Sequence, residues 1–255
     1  MRTTLIVGLG LIGGSAGMAL RQRGWRVTYL DPDVSLEGVK AKGAADARVE
    51  RIEDADADLI VFATPVGVAI DYLRSLETNA VVTSTCSVMR ALRDAARGTF
   101  IAGHPMAGSH LSGLDAAKID LFEKQPTWFV DSDHPLVDAL VRDCGAAPEL
   151  VDASEHDAAL ALTSHLPQVL STALAAYFHG REDLFRFSGG GLHTFLRLAK
   201  SGADMWASIL DANRDQIAPH ADAIAALVKQ IIEGDPRDAF AKAQAAWEAL
   251  EKRPH

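Results

Sequence analysis

Short apolar, β-rich runs alternate with helical stretches from the start of the chain to about residue 151, and the pattern then changes. The runs at residues 4–7, 26–30, 59–62, 80–83, 100–103 and 127–130 predict strands, and residues 149–151 are expected to close the sheet. Strands spaced by helical patterns predict a doubly wound parallel sheet. Beyond about residue 152 strand signals stop, and alanine- and leucine-rich helical spacing continues to Leu250. Ser154 followed by Asp157 has the spacing of a capping box, which predicts a helix start there. Breaks are expected at Gly180, at residues 188–191 and at residues 234–236.

The first strand opens into a glycine loop. Gly8, Gly10 and Gly13 give G-x-G-x-x-G, placed between an apolar run and a helix. The first glycine permits a tight turn, the second lets the backbone approach a pyrophosphate, and the third lets the helix pack on the strand. The helix start, with Leu11 and Ile12, offers unpaired N–H groups and a positive dipole end to phosphate. Asp31 ends the second strand, 18 residues beyond Gly13, where a carboxylate accepts ribose hydroxyls and repels a 2′-phosphate. NAD is therefore expected rather than NADP. Thr64, Pro65, residues 84–87 including Thr85, and His104 fall at other strand ends, where ligands of such sheets sit. The fold class is thus α/β: a Rossmann-type doubly wound parallel sheet over residues 1–152, then an all-helical domain over residues 153–255. The apolar surplus of the second part predicts a homodimer built through it.

Composition narrows the function. With 255 residues, 48% apolar and 23% charged, the chain has the makeup of a soluble globular protein of one or two domains. A net charge of −9 without a basic run argues against nucleic acid. Cys86 and Cys144 form neither a disulfide framework nor a metal spacing, so no metal site and a reducing, cytoplasmic setting are expected. Residues 158–178 carry no formal charge and are long enough to span a bilayer, but Thr163, Ser164, His165, Pro167 and Gln168 interrupt them. A segment buried between subunits, rather than a membrane span, is expected. Residues 4–20 read as strand and loop, not as a signal peptide.

His104, in Gly103-His104-Pro105-Met106-Ala107-Gly108, stands where a strand would deliver its end to the cofactor. An imidazole near neutral pH can accept a hydroxyl proton as hydride leaves the same carbon. The plainer alternative is a histidine capping the turn before Pro105.

The glycine loop, Ala63-Thr64-Pro65, the His104 motif, Thr163-Ser164-His165-Leu166-Pro167, and Gly189-Gly190-Gly191 through Arg197 to Trp206 follow in one order. Together they resemble the prephenate/arogenate dehydrogenase family of tyrosine biosynthesis, from about residue 4 to residue 215. The resemblance implies NAD-dependent oxidative decarboxylation of prephenate to 4-hydroxyphenylpyruvate, of arogenate to tyrosine, or of both. It implies that His104 bonds the ring hydroxyl and that Ser87 bonds the same hydroxyl and helps orient His104. It implies that Arg197 holds a substrate carboxylate, with Ser164, Gly190 and Trp206 in the pocket and His165 beside them. Ser109 and His110 join the substrate-binding set, and tyrosine feedback is expected to act through them, since the chain ends soon after its last helix. His156 falls near a pocket position but is expected to be exposed.

Residues 83–89, Thr-Ser-Thr-Cys-Ser-Val-Met, depart from the family's usual Thr-Asp-x-Gly-Ser-Val-Lys. The serine survives; the acid, glycine and lysine do not. His110 and Thr194 also stand where relatives often carry an acid. Two other readings remain open here: a β-hydroxyacid-dehydrogenase-like enzyme using Lys200, and a non-catalytic NAD-binding regulator.

Overall fold

The computed structural model describes residues 1–108 and 111–252 of the chain. Its first half alternates β1 (Thr3–Val7), α1 (Leu11–Gln22), β2 (Arg26–Leu30), α2 (Leu36–Lys42), β3 (Ala47–Arg48), β4 (Leu59–Phe62), α3 (Val66–Ser75), β5 (Val81–Ser84), α4 (Arg90–Ala95) and β6 (Phe100–Ile101). The six strands form one parallel sheet in the order β3-β2-β1-β4-β5-β6. Leu-Ile-Val-Phe of β4 is buried at every position, as a strand covered on both faces must be. Strand order reverses between β1 and β4. The glycine turn after β1 and the Ala63-Thr64-Pro65 turn after β4 therefore flank one crevice. Two-residue β3 has no apolar run to announce it.

The expected strand at 100–103 divides at Ala102. β6 ends the main sheet, while β7 (Gly103–Pro105) pairs antiparallel with β8 (Thr127–Val130). After α5 (Pro135–Asp143), β9 (Ala147–Leu150) runs parallel to β8. Residues 127–130 and 149–151 thus do not extend the main sheet; β7, β8 and β9 make a second one. Asp131 fixes the change of sheet. Its Oδ1 accepts the Ala102 N–H at 3.0 Å, its own N–H donates to the Ala102 carbonyl at 3.1 Å, and Arg93 pairs with it at 2.7 Å.

The second half is helical. It comprises α6 (Ala153–Leu160), a π-helical turn (Ala161–His165), α7 (Leu166–Tyr177), α8 (Gly190–Leu196), α9 (Ala203–Ala212), α10 (Arg214–Glu233) and α11 (Arg237–Glu251). Breaks fall where expected, with Gly180 left-handed at φ +75 and Gly234 ending α10. The helix start differs in detail. Asp152, not Ser154, caps α6 by accepting the N–H groups of Ser154 and Glu155 at 2.8 and 3.1 Å. Asp157 is thereby free to turn inward. Among the described residues, no helix is long and apolar enough to cross a membrane.

Candidate active site

The glycine turn is shaped by close backbone approach. At Gly8, φ is +89, and a Cβ there would lie 2.7 Å from the Ala63 carbonyl oxygen; at Gly13 it would lie 2.0 Å from that of Gly8. Around Gly10, by contrast, a Cβ would meet nothing within 4 Å. Gly10 begins α1 without a side-chain cap, so no capping side chain occupies its first-turn N–H groups, those of Leu11 and Ile12 included. Asp31 braces the turn: Oδ2 accepts the Leu9 N–H at 2.7 Å and Oδ1 the Asp33 N–H at 2.9 Å. Two packed glycines, one open glycine, an uncapped helix start and a carboxylate at the end of β2 fit a dinucleotide. Across the crevice, the Thr85 N–H donates to the Phe62 carbonyl at 2.9 Å, Thr64 is half-buried with its hydroxyl unpartnered among the described residues, and Pro65 is exposed.

His104 stands on β7, opposite Phe129 of β8. Its neighbour Gly103 cannot carry a side chain, because a Cβ would lie 2.8 Å from the Ser84 carbonyl oxygen. The Ser84 hydroxyl also donates to the Gly103 carbonyl at 3.3 Å, tying β7 to the main sheet. The His104 Nδ1 lies 3.0 Å from Nε2 of His156, the rings meeting edge to face. His156 Nδ1 lies 2.9 Å from Oδ1 of Asp157. Contrary to expectation, His156 is buried; the fully buried Asp157 and the edge of the Phe129 ring enclose it. Burial, reinforced by His156 and His165, holds His104 far below the usual imidazole value, at about 3. It is therefore a neutral imidazole across the ordinary pH range.

Asp157 also joins the two halves of the chain. Its carboxylate accepts the N–H groups of Met89 and Arg90 at 2.9 and 3.0 Å, capping α4 from the helical side. Arg90 in turn bonds Asp215 of α10 at 2.7 and 2.8 Å. The departures between residues 83 and 89 are accommodated here. Ser84 and Met89 are fully buried, and Cys86 packs as a small apolar side chain whose thiol burial pushes up to about 12. Ser87 is half-buried, and no hydrogen bond joins it to His104 among the described residues; the bond that orients the ring comes from His156.

On the helical side, the Asn213 amide donates to the Asp157 carbonyl at 2.8 Å and to His165 Nδ1 at 3.2 Å. His165, fully buried and held at about 4 by that burial, consequently carries its proton on Nε2, which has no partner among the described residues. The Trp206 indole lies edge-on to it at 6.0 Å, and its buried N–H is likewise without a partner among the described residues. Two orphaned donors side by side are suited to an oxygen-rich ligand. Ser164 is half-buried in the π-helical turn, while Gly190 is exposed at the start of α8. Arg197 is exposed and has no ion-pair partner among the described residues; the turn it opens is held to α7 by Gln168, which donates to the Leu198 carbonyl at 2.9 Å. Ser109 and His110 lie outside the described residues. His156, Asp157 and Asn213 were not anticipated in these roles, although a charged residue beside a histidine near the start of an apolar helix was a signal.

The chain thus carries a dinucleotide-type cradle at the crevice between β1 and β4 and a hydrogen-bonded imidazole chain that starts on β7. Two family models match successive parts of the sequence: the prephenate dehydrogenase nucleotide-binding domain over residues 16–141 and the prephenate dehydrogenase dimerization domain over residues 152–242. The cyclohexadienyl dehydrogenase of Zymomonas mobilis is 30% identical over 251 residues, covering 89% of this chain and 86% of that protein. The chain belongs to the prephenate dehydrogenase family. Another relative in that family, the prephenate dehydrogenase of Bacillus subtilis, is 32% identical over 248 residues, with 86% of this chain and 66% of that protein covered. For the Lactococcus lactis enzyme of the same name, the chain is 31% identical and spans 65% of its length, so it covers just under two thirds of these two relatives. The solved prephenate dehydrogenase of Aquifex aeolicus, in complex with hydroxyphenyl propionate and NAD+, superposes with a TM-score of 0.82 at 26% identity, covering 98% of this chain and 96% of that one. The first family match begins just past the glycine loop, so the cradle is read from its own geometry.

Proposed function

We propose that this chain is an NAD-dependent dehydrogenase that oxidatively decarboxylates a cyclohexadienol, prephenate or arogenate. The observation that carries the reading is a neutral His104, ring-locked at Nδ1, on the strand that follows the cofactor-side sheet. Gly8, Gly10, Leu11, Ile12, Gly13 and Asp31 would hold the dinucleotide, with Thr64, Pro65 and Thr85 on the opposite lip. Bound NAD+ supplies the acceptor for the hydride that leaves the carbinol carbon. The residues of the chain supply the rest. His104 accepts the hydroxyl proton as that hydride departs, the ring carboxylate is lost as CO2, and the ring becomes aromatic. Ser87 meets the same hydroxyl. The half-buried Ser164, Gly190 and the unpartnered donors of His165 and Trp206 bind the substrate's oxygens, Arg197 clamps a carboxylate, and Ser109 and His110 complete the set.

We divide the chain between residues 152 and 153, at the Asp152 cap that follows the second sheet. The enzyme works as a homodimer in the cytoplasm, paired through the helical half. That half exposes Tyr177, Phe187, Ile232, Phe240 and Trp247, more large apolar surface than a lone domain ordinarily leaves uncovered. The test is direct: NADH formation by the purified protein with prephenate and with arogenate, side by side. Turnover of neither removes the reading.

A further inference from the structure

His104 is joined to a second histidine and a carboxylate in an unbroken chain that the hydride-transfer reading does not require. Asp157 is fully buried and accepts two backbone N–H groups, one on each oxygen, with the Arg90 guanidinium 3.7 Å away. Both of its oxygens are thus already placed as acceptors, which makes Asp157 the acceptor toward its neighbours. The His156 nitrogen 2.9 Å from it, Nδ1, must therefore carry a proton. In the tautomer that donates to Asp157 the other ring nitrogen, Nε2, is the acceptor at 3.0 Å, which puts the proton between the two rings on His104 Nδ1. His104 then has its lone pair on Nε2.

We propose that His156 and Asp157 are positioning residues that fix the tautomer and ring angle of His104, leaving Nε2 unprotonated for the substrate hydroxyl. The inference rests on the reading of His104 as the base. Proton balance is simple: the hydroxyl proton moves to His104 Nε2, making an imidazolium whose Nδ1–H already points at His156, and the Asp157 carboxyl group lies one ring further on. No proton need leave the chain during that step. Other groups facing His104 do not compete for Nδ1. His165 is committed to Asn213 through its own Nδ1, and Arg90 is directed at Asp215 and Asp157. A tautomer held by a second group in this way is the usual means of making an imidazole a one-sided base.

The test has two arms. In histidine 15N–1H spectra of the ligand-free protein, with the His104 signals assigned through His104→Ala, Nδ1 should be protonated and Nε2 bare. His156→Leu should return His104 to a mixture of tautomers. A proton on Nε2 of His104 in the wild type, or an unchanged tautomer in His156→Leu, overturns the proposal. In the second arm, His156→Leu should lower kcat about a hundredfold with KM changed little, the size expected for a misoriented base. His156→Gln should recover most of that loss, since its amide can accept from His104 and donate to Asp157. Equal losses in the Leu and Gln variants, or a KM effect alone, would mean a packing role only. The two readings separate cleanly: if His104→Ala keeps near wild-type turnover, the proposed function fails, whereas a severely impaired His104→Ala beside an unimpaired His156→Leu sinks only the positioning chain.

Discussion

Asn213 holds His165 by its Nδ1: the amide nitrogen that donates 3.2 Å to that ring atom also donates 2.8 Å to the main-chain carbonyl of Asp157. One buried side chain thus sets the proton of one imidazole and braces the residue that anchors another. Asn213→Leu keeps the volume and removes the donor, leaving the buried Nδ1 of His165 bare while the Asp157 carbonyl keeps only its backbone N–H at the end of α6. Urea unfolding should register a loss of about 3 kcal/mol, at the upper end for a single buried unpaired group. A change under about 0.5 kcal/mol would show that the amide has no such role.

Asp31 should govern cofactor choice. Asp31→Asn keeps an acceptor for the Leu9 N–H while removing the charge. NAD+ binding, followed by fluorescence titration, should weaken about tenfold, the loss of one charge-assisted bond, and discrimination against NADP+ should narrow. Unchanged discrimination would place the ribose elsewhere.

The glycines should separate folding from binding. Gly13→Ala places a methyl group 2.0 Å from the Gly8 carbonyl oxygen and should cost several kcal/mol, about 4, visible as a large drop in Tm. Gly10→Ala meets nothing in the free protein and should melt normally, yet lose most NAD+ affinity because the methyl occupies the space a pyrophosphate needs. Equal effects on Tm from both would contradict this geometry.

Acid should weaken the fold through its buried imidazoles. His104 and His165 are held at about 3 and about 4 in the native state and return to about 6.5 when unfolded. Below pH 6.5 the unfolded chain takes up protons that the native chain refuses. The stability from these groups is therefore complete above that pH and declines towards pH 4 and below. Urea midpoints for His165→Gln should fall less steeply than those of the wild type between neutrality and about pH 4.5; parallel curves would refute the assignment.

The two residues proposed to meet the substrate should divide kcat from KM. His104→Ala should cut kcat on the order of a thousandfold, since base and orientation are lost together. Arg197→Ala should chiefly raise KM, by about 2 kcal/mol of binding. Steady-state kinetics with both variants near wild type would dismiss these roles.

Much of the architecture was written in local pattern. The runs 26–30, 59–62 and 127–130 are strands at those bounds because each is a short apolar or β-branched stretch closed by turn residues. The second sheet was not legible, since the change of partner at Ala102 depends on Asp131 and Arg93, far along the chain or across it. His156 looked like a solvent-facing histidine because a helix start alone does not reveal that another strand will lie over it. Nor could Ser154-x-x-Asp157 be distinguished from a true capping box: Asp152 does that work, and Asp157 reaches a helix in the other half. Short-range signals predict elements; the polar groups between elements answer to tertiary contacts.

The seam at Asp157 has one more consequence. The imidazole that would do the chemistry grows from the nucleotide-binding lobe, while the groups that decide where its proton sits are furnished by the helical lobe. Prising the lobes apart by a few ångströms would leave the glycine cradle whole but disarm the proposed base, so under the proposed function hydride acceptance and proton removal would become available together only with the two lobes seated against each other.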